Sequence, residues 1–149
     1  MIRAAKESDR ADVEALLVAA RLPTDGVAEH FGSFFVVDDG GRIVGAAGLE
    51  PYGPDMLLRS VVVATEAKGA GVGSLLTRRA LDEARVRSAR AVYLLTTTAE
   101  SSFPRFGFER VERGDVPPSV QASREFQGAC PASAVVMRWT LADPPPLPT

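Results

Sequence analysis

Cysteine occurs once in this chain, at Cys130, so no internal disulfide can form. Histidine also occurs once, at His30, and tyrosine only at Tyr52 and Tyr93. Any phenolic proton donor must therefore be one of two residues, and no metal is expected. No apolar run approaches the length of a membrane span, and no membrane partner is expected. Neither sign of charge is in excess: 17 Lys and Arg stand against 19 Asp and Glu, a net charge of −2. That balance argues against a nucleic-acid surface held by phosphate contacts. Met1-Ile2-Arg3 leads straight into a strand-like start, so no signal peptide is expected and the cytoplasm is the expected location.

What the chain does have is size and a glycine loop. Its 149 residues, 46% hydrophobic and 24% charged, suit one globular domain with a real core. The most informative stretch is Lys68-Gly69-Ala70-Gly71-Val72-Gly73, between a strand-like run, Met56 to Val63, and a helical run, Ser74 to Arg87. Glycines let the backbone turn tightly and approach a ligand closely. The first N–H groups of a helix have no intrahelical partner, and its dipole adds partial positive charge there. A ligand bearing phosphate is the first hypothesis; the competing reading is a glycine-rich turn with no ligand. No Lys follows the glycines as a Walker loop requires, and their spacing is not that of a dinucleotide fingerprint.

The rest of the chain alternates between strands and helices. Ile2 to Ala5 reads as a strand, and Ser8 caps a helix to about Ala20 with Val13, Leu16, Leu17 and Ala20 on one face. Val27 to Phe31 reads as a short helix. Phe34 to Asp38 and Ile43 to Glu50 are strands joined at Asp39-Gly40-Gly41. Pro51-Tyr52-Gly53-Pro54 is a loop before the central strand, Met56 to Val63. Ala91 to Thr96 is a fifth strand, Ser101 to Phe106 a short helix, and Phe108 to Arg110 starts another strand. Pro117-Pro118 opens a helical stretch through Phe126, and Ala134 to Leu141 is the last strand. Residues 1–142 form one domain, and the Pro-rich 143–149 reads as a disordered tail.

This order, with Val61 and Val63 ahead of Lys68, Gly71 and Gly73, resembles the GNAT acyltransferase superfamily. Arg105-Phe106-Gly107-Phe108 fits the aromatic-x-x-x-Gly-Phe segment common there. The resemblance implies an α/β (α+β) fold: a mixed, mostly antiparallel sheet with splayed fourth and fifth strands, flanked by helices. A narrower resemblance, carried by Gly48-Leu49-Glu50, Leu58-Arg59-Ser60, 94–99 and 130–134, is to the small N-acetyltransferases encoded in bacterial arsenic-resistance operons. It implies acetyl transfer from acetyl-CoA to the amino group of a small arsenical or glufosinate-like amino acid. An acetyl-CoA-binding sensor without catalysis and a peptide or protein acetyltransferase are the alternatives. A homodimer is a family expectation.

The resemblance also implies a site. Pyrophosphate would rest on Gly69, Ala70, Gly71, Val72, Gly73 and Ser74 with Lys68, and the pantetheine arm on the backbone of Val61 and Val63. The thioester carbonyl would lie near N–H groups of the central strand. The glutamate of histone-acetylating members is Leu57 here, so Glu50, ending the third strand, is the candidate base; a solvated carboxylate is the competing reading. Phe103 stands where many members carry a Tyr acid. The Asn that often contacts pantetheine is missing, and Thr96, Thr97 and Thr98 offer hydroxyls in that region; β-branched strand content and a helix cap are the competing reading and the favoured one. Arg59, in an apolar run and sharing parity with Val61 and Val63, is the candidate grip for a substrate anion. An ion pair with Glu50 or Asp55 is its competing reading. His30 is read as a polar surface residue, Cys130 as a buried thiol, and Ser119, Gln121 and Arg124 as a solvated face.

Overall fold

The computed structural model describes residues 1–97, 99–131 and 133–141. The expected tail, 143–149, lies outside them. Seven strands form one sheet: β1 (Ile2–Ala4), β2 (Phe34–Asp39), β3 (Arg42–Tyr52), β4 (Asp55–Val63), β5 (Ala91–Thr96), β6 (Glu109–Arg110) and β7 (Val135–Thr140). Their spatial order is β1-β2-β3-β4-β5-β7-β6. Every neighbouring pair is antiparallel except β4 and β5. The helices are α1 (Arg10–Ala19), α2 (Val27–His30), α3 (Val72–Val86) and α4 (Pro118–Gln121).

The sheet is covered on both faces. Leu76, Ala80, Leu81 and Ala84 form the buried stripe of α3, at the spacing that keeps one helical face inward. Gly45 of β3 lets α3 lie close: a Cβ there would come within 2.7 Å of Val72 Cγ1. On the other face, Val13 and Leu17 of α1 and Val27 of α2 pack with Phe34, Val36 and Val62. Leu57 and Tyr93 pack against Val116 and Val120 around α4.

Some elements differ from the sequence expectation. Pro51 and Tyr52 belong to β3, which turns through Gly53-Pro54 directly into β4, with Tyr52 opposite Asp55. Pro51 is tolerated because β2 pairs with β3 only as far as Gly48, so no ladder bond is lost on that side. Ser8 does not cap α1. The Asp9 carboxylate takes the Lys6 N–H at 2.7 Å and Arg3 at 2.8 Å, and a tight turn over Glu7–Asp9 precedes the helix. The Arg3 guanidinium holds Asp9 below the usual carboxylate range. The expected helix over 101–106 shrinks to a turn at Pro104–Phe106. The stretch from Pro117 to Phe126 is broken: α4 ends at Gln121, and a wide turn follows at Glu125–Ala129.

Two irregularities place the site. β4 and β5 pair only at Asp55–Ala91, Met56–Val92 and Leu57–Tyr93, and beyond these the strands part. β4 also carries a bulge: Gly48 faces Arg59 and Ala46 faces Val62, so Ser60 and Val61 together oppose Ala47. Ser60 sits there at φ 58°, a left-handed conformation that non-glycine residues rarely adopt.

Candidate active site

The parted strands open a groove of about 1210 Å³ that runs from the glycine loop to the Pro23–Asp25 segment. At the loop end, Gly69 and Gly71 have φ of 86° and 80°, and Gly71 is the residue capping α3. A Cβ at either would meet nothing within 4 Å, so conformation, not space, demands glycine there. The first ladder bond of α3 runs from Leu75 N–H to the Gly71 carbonyl at 3.0 Å. The N–H groups of Val72, Gly73 and Ser74 precede it and have no ladder partner. Lys68, Gly69, Gly71, Val72, Gly73 and Ser74 all line the groove; Ala70 does not, and its N–H turns back to the Ala67 carbonyl.

Arg105 reaches this end from the far side and donates to Ser74 Oγ at 2.5 Å. It adds a second cation to Lys68 beside the free N–H groups, a strong setting for an anion. Sequence reading used Arg105 only as part of a family pattern; its place opposite the loop depends on how β5 and the turn after it pack.

Along the middle, Val61 and Val63 line the groove. β5 no longer pairs with this part of β4, so its strand edge faces the groove. The expected shared parity of Arg59 with Val61 and Val63 is corrected by the bulge. Val61 packs with the α3 core and Val63 lies near Gly73, whereas Arg59 points with Leu57 to the opposite face. One extra residue reverses the alternation, and nothing in the local sequence marks it. Thr96 Oγ1 accepts the Ala99 N–H at 3.0 Å, capping the turn after β5, while Thr96 and Thr97 line the groove. Thr98 lies outside the described residues. Phe103 also lines the groove, only 9% exposed, edge-on to Phe108 at 5.7 Å, and brings no hydroxyl.

The far end is charged and buried. Glu50 sits opposite Leu57 and diagonal to Arg59 across the β3–β4 pair. Arg59 Nη1 donates to Glu50 Oε2 at 3.0 Å, and the residues are 3% and 1% exposed. Arg59 also donates from Nη2 to the Pro23 carbonyl at 3.1 Å, from Nη1 to the Asp25 carbonyl, and from Nε to Ser60 Oγ at 2.9 Å. Of the two ion pairs read from sequence, the one with Glu50 forms, while Asp55 pairs with Arg90 at 2.5 Å. Tyr52 donates to Glu50 Oε1 at 2.5 Å. Burial, then the bond to Glu50, pushes the Tyr52 hydroxyl well above its ordinary range. Arg59 lines the groove, and Glu50 stands behind it.

Glu125 and Cys130, from the wide turn after α4, complete this end. Cys130 Sγ donates to Glu125 Oε2 at 3.2 Å. Burial and the neighbouring carboxylate push the thiol up to about 12, which keeps it protonated and weakly nucleophilic near neutral pH. Sequence reading missed Glu125. It follows the residues Ser119, Gln121 and Arg124 considered on that helix, and only the break in the helix turns it inward. Gln121 instead donates to the Val116 carbonyl at 2.7 Å, and Arg124 pairs with Glu29 at 2.7 Å. His30 lies 6.1 Å from the Tyr52 ring, outside the groove lining. Among the described residues, no group of three or more His, Cys, Asp and Glu is placed to hold a metal, and no helix is long and apolar enough to cross a membrane.

Comparison with known proteins bears on the family and the fold. Residues 30–110 match the acetyltransferase (GNAT) domain. The chain is similar to the protein YwlB of Bacillus subtilis, 31% identical over 130 residues, which span 84% of this chain and 86% of the relative. It is also similar to an uncharacterized N-acetyltransferase, CT2212, of Chlorobaculum tepidum, 27% identical over 97 residues, covering 64% of this chain and 62% of that protein. Among solved structures it is similar to N-acetylglutamate synthase from Neisseria gonorrhoeae complexed with coenzyme A and N-acetyl-glutamate. There the TM-score is 0.82 at 19% identity, and the likeness covers 96% of this chain but 35% of the synthase, so it speaks for the fold. This chain thus spans less than two thirds of either the Chlorobaculum relative or the synthase. The family match takes in more than half of the chain, which belongs to the GNAT acetyltransferase family.

Proposed function

We propose that this chain is an acetyl-CoA-dependent N-acetyltransferase that acylates the amino group of a small amino-acid-like acceptor by direct attack. The observation that carries this reading is one continuous groove with an anion-binding loop at one end, an unpaired strand edge along it and a buried charged cluster at the other. Acetyl-CoA fits that sequence of surfaces. The N–H groups of Val72, Gly73 and Ser74, with Lys68 and Arg105, would hold the pyrophosphate. The backbone of Val61 and Val63 would bond the pantetheine arm. An N–H of β4 beside the bulge would face the thioester carbonyl, where a single such donor is worth about 3–4 kcal/mol in the transition state.

In this mechanism the neutral amine nitrogen forms the C–N bond, and the tetrahedral intermediate collapses as the C–S bond breaks and the thiolate leaves. The extra proton on nitrogen passes to the thiolate through water. Phe103 supplies no acid, but a thiol of pKa about 8.5 leaves tolerably as an anion. The amine must first lose a proton, which for an alkyl amine at pH 7 costs about 4–5 kcal/mol. Glu50 is the proposed acceptor of that proton. For this role one of its two donors must give way, and Tyr52, half-buried and outside the Arg59 cluster, is the one able to do so. Arg59 is proposed to serve the acceptor's anionic group and to tether the Pro23–Asp25 segment that rims the groove.

Three observations support a small zwitterionic acceptor. The far end combines a guanidinium with carboxylates. The Glu125–Ala129 turn lines it and brings a second buried carboxylate, that of Glu125, to the groove. The structurally similar synthase was captured with N-acetyl-glutamate. The narrower resemblance to enzymes of arsenic-resistance operons points to arsenical or glufosinate-like acceptors within that class. Calorimetry with acetyl-CoA, followed by a CoA-release assay against free L-amino acids and glufosinate, tests the reading. Binding with transfer to one of these amines is the expected result. Binding without transfer to any amine would favour a sensor, and no binding would sink the assignment.

A further inference from the structure

The acceptor end holds a carboxylate that the mechanism above leaves unused. Glu125 is 5% exposed and lines the groove. Among the described residues its side-chain hydrogen-bond donor is the Cys130 thiol at 3.2 Å, a weak and neutral one. Burying a carboxylate without a strong partner is costly. The surrounding charges do not supply one. Arg59 acts on Glu125 through space, while its hydrogen bonds go to Glu50, Ser60 and two backbone carbonyls. Glu50 and Asp25 add negative potential that works against that of Arg59. Burial, the largest cause, raises the Glu125 carboxyl above its ordinary range.

The local backbone turns Glu125 toward the groove. Cys130 N–H bonds the Glu125 carbonyl at 3.2 Å, five residues back, instead of continuing an α-helical ladder. That pairing is how a helical turn ends on a residue in the left-handed region. Gly128, at φ 118°, closes this one. The result swings Cys130 beside Glu125 and turns both into the groove. A small cation entering here would find a buried carboxylate whose hydrogen-bond donor among the described residues is a weak, neutral thiol.

We infer that Glu125 is the ammonium-recognising residue of the acceptor site: its carboxylate takes up a cationic amine in place of the Cys130 thiol, and so selects acceptors that arrive protonated. The inference rests on the N-acetyltransferase reading and names a specificity residue within the same site. It assigns Cys130 the part of a stand-in donor that keeps Glu125 partnered between turnovers.

The test uses binding as well as turnover. The twenty free L-amino acids and glufosinate are titrated into the wild-type protein saturated with CoA, a complex that cannot react. The tightest binder is then compared with its 2-hydroxy counterpart, in which a neutral hydroxyl replaces the ammonium. Glu125→Gln should weaken the amine at least tenfold, leave the weak hydroxy compound unchanged and keep the acetyl-CoA Kd within twofold. Glu125→Asp should restore most of the preference, which guards against a variant that only misfolds. Cys130→Ala should leave amine affinity unchanged or improve it. Equal loss for amine and hydroxy compound, or wild-type affinity in Glu125→Gln, would overturn the inference. If acetyl transfer proceeds normally in Glu125→Gln with unchanged KM, the inference falls and the transferase reading stands. If amines bind through Glu125 but are never acetylated, the reverse holds, and if no amine binds at all both fall.

Discussion

At the scale of single residues, the proposed acceptor end depends on how Arg59 distributes its donors. Its contacts with Glu50, Ser60, Pro23 and Asp25 make it both a buried charge and a clamp on the segment rimming the groove. Removing one partner of a buried pair typically costs about 3–5 kcal/mol, because the other charge is left uncompensated. Arg59→Ala is therefore expected to lose stability of that order in chemical denaturation, so kinetics are better read from Arg59→Lys. Lysine keeps the charge but not the planar fork, and its main effect should be a higher KM for the acceptor with little change in kcat. Glu50→Gln should lower kcat at neutral pH and recover at high pH, where the amine deprotonates unaided. Profiles of kcat and KM against pH for both variants decide the matter. Wild-type kinetics in destabilised variants would reduce Glu50 and Arg59 to a structural pair. Tyr52 is a separate question, since its hydroxyl touches Glu50 and Phe103 offers no acid. Tyr52→Phe is expected to lose far less than a thousandfold in kcat, roughly 4 kcal/mol of barrier. A greater loss would mean that Tyr52 is the missing acid.

At the scale of elements, the glycine loop makes the sharpest claim. Gly71 holds a left-handed conformation at the mouth of α3 and faces open space within the groove. Gly71→Glu would put a strained backbone and a negative charge where the pyrophosphate is proposed to sit. Acetyl-CoA binding should disappear by calorimetry in a variant whose circular dichroism is native; retained affinity would refute the loop assignment. This loop was legible in the sequence because glycine spacing and the flanking strand and helix are local signals. Strand β5 was legible to the residue, and the hairpin at Gly40-Gly41 to within one residue at each strand end, since Asp39 pairs with Arg42. The bulge at Ser60 was not, because a serine at φ 58° is imposed by the register of β3 across the sheet and leaves no compositional trace. That one residue explains the wrong parity assigned to Arg59. Glu125 stayed hidden for a related reason. A helical reading of the stretch from Pro117 carries through Phe126, and only the break near the buried Ser123 turns the carboxylate inward. Thr96 illustrates the middle ground, a visible hydroxyl for which a capping role is the favoured reading from sequence, and its bond from the Ala99 N–H forms.

At the scale of the whole molecule, the groove is a sheet left unfinished. β4 and β5 share three residue pairs and then separate, so a ladder that would otherwise bind the two halves of the sheet is missing where the ligand is proposed to lie. β3 and β2 hold one half, and β7 and β6 the other. An extended pantetheine arm bonded to Val61 and Val63 would partly replace that ladder, and the pyrophosphate would tie α3 to Arg105 on the far side. Ligand binding and global stability should therefore be coupled. A ligand that binds only the folded state stabilises it by about 2.7 kcal/mol at a hundredfold excess over Kd. For a domain of this size, roughly 2–4 °C per kcal/mol, the expected rise in Tm is about 5–11 °C. Pantetheine alone, which lacks the pyrophosphate, should give far less, and Gly71→Glu should give none with acetyl-CoA. Hydrogen exchange locates the effect: with acetyl-CoA bound, amides of β4 beyond Leu57 should slow more than those of β1 or β2, which the groove does not touch. An unshifted Tm at saturating acetyl-CoA, or protection spread evenly over the sheet, would mean that the parted strands are not where the ligand binds.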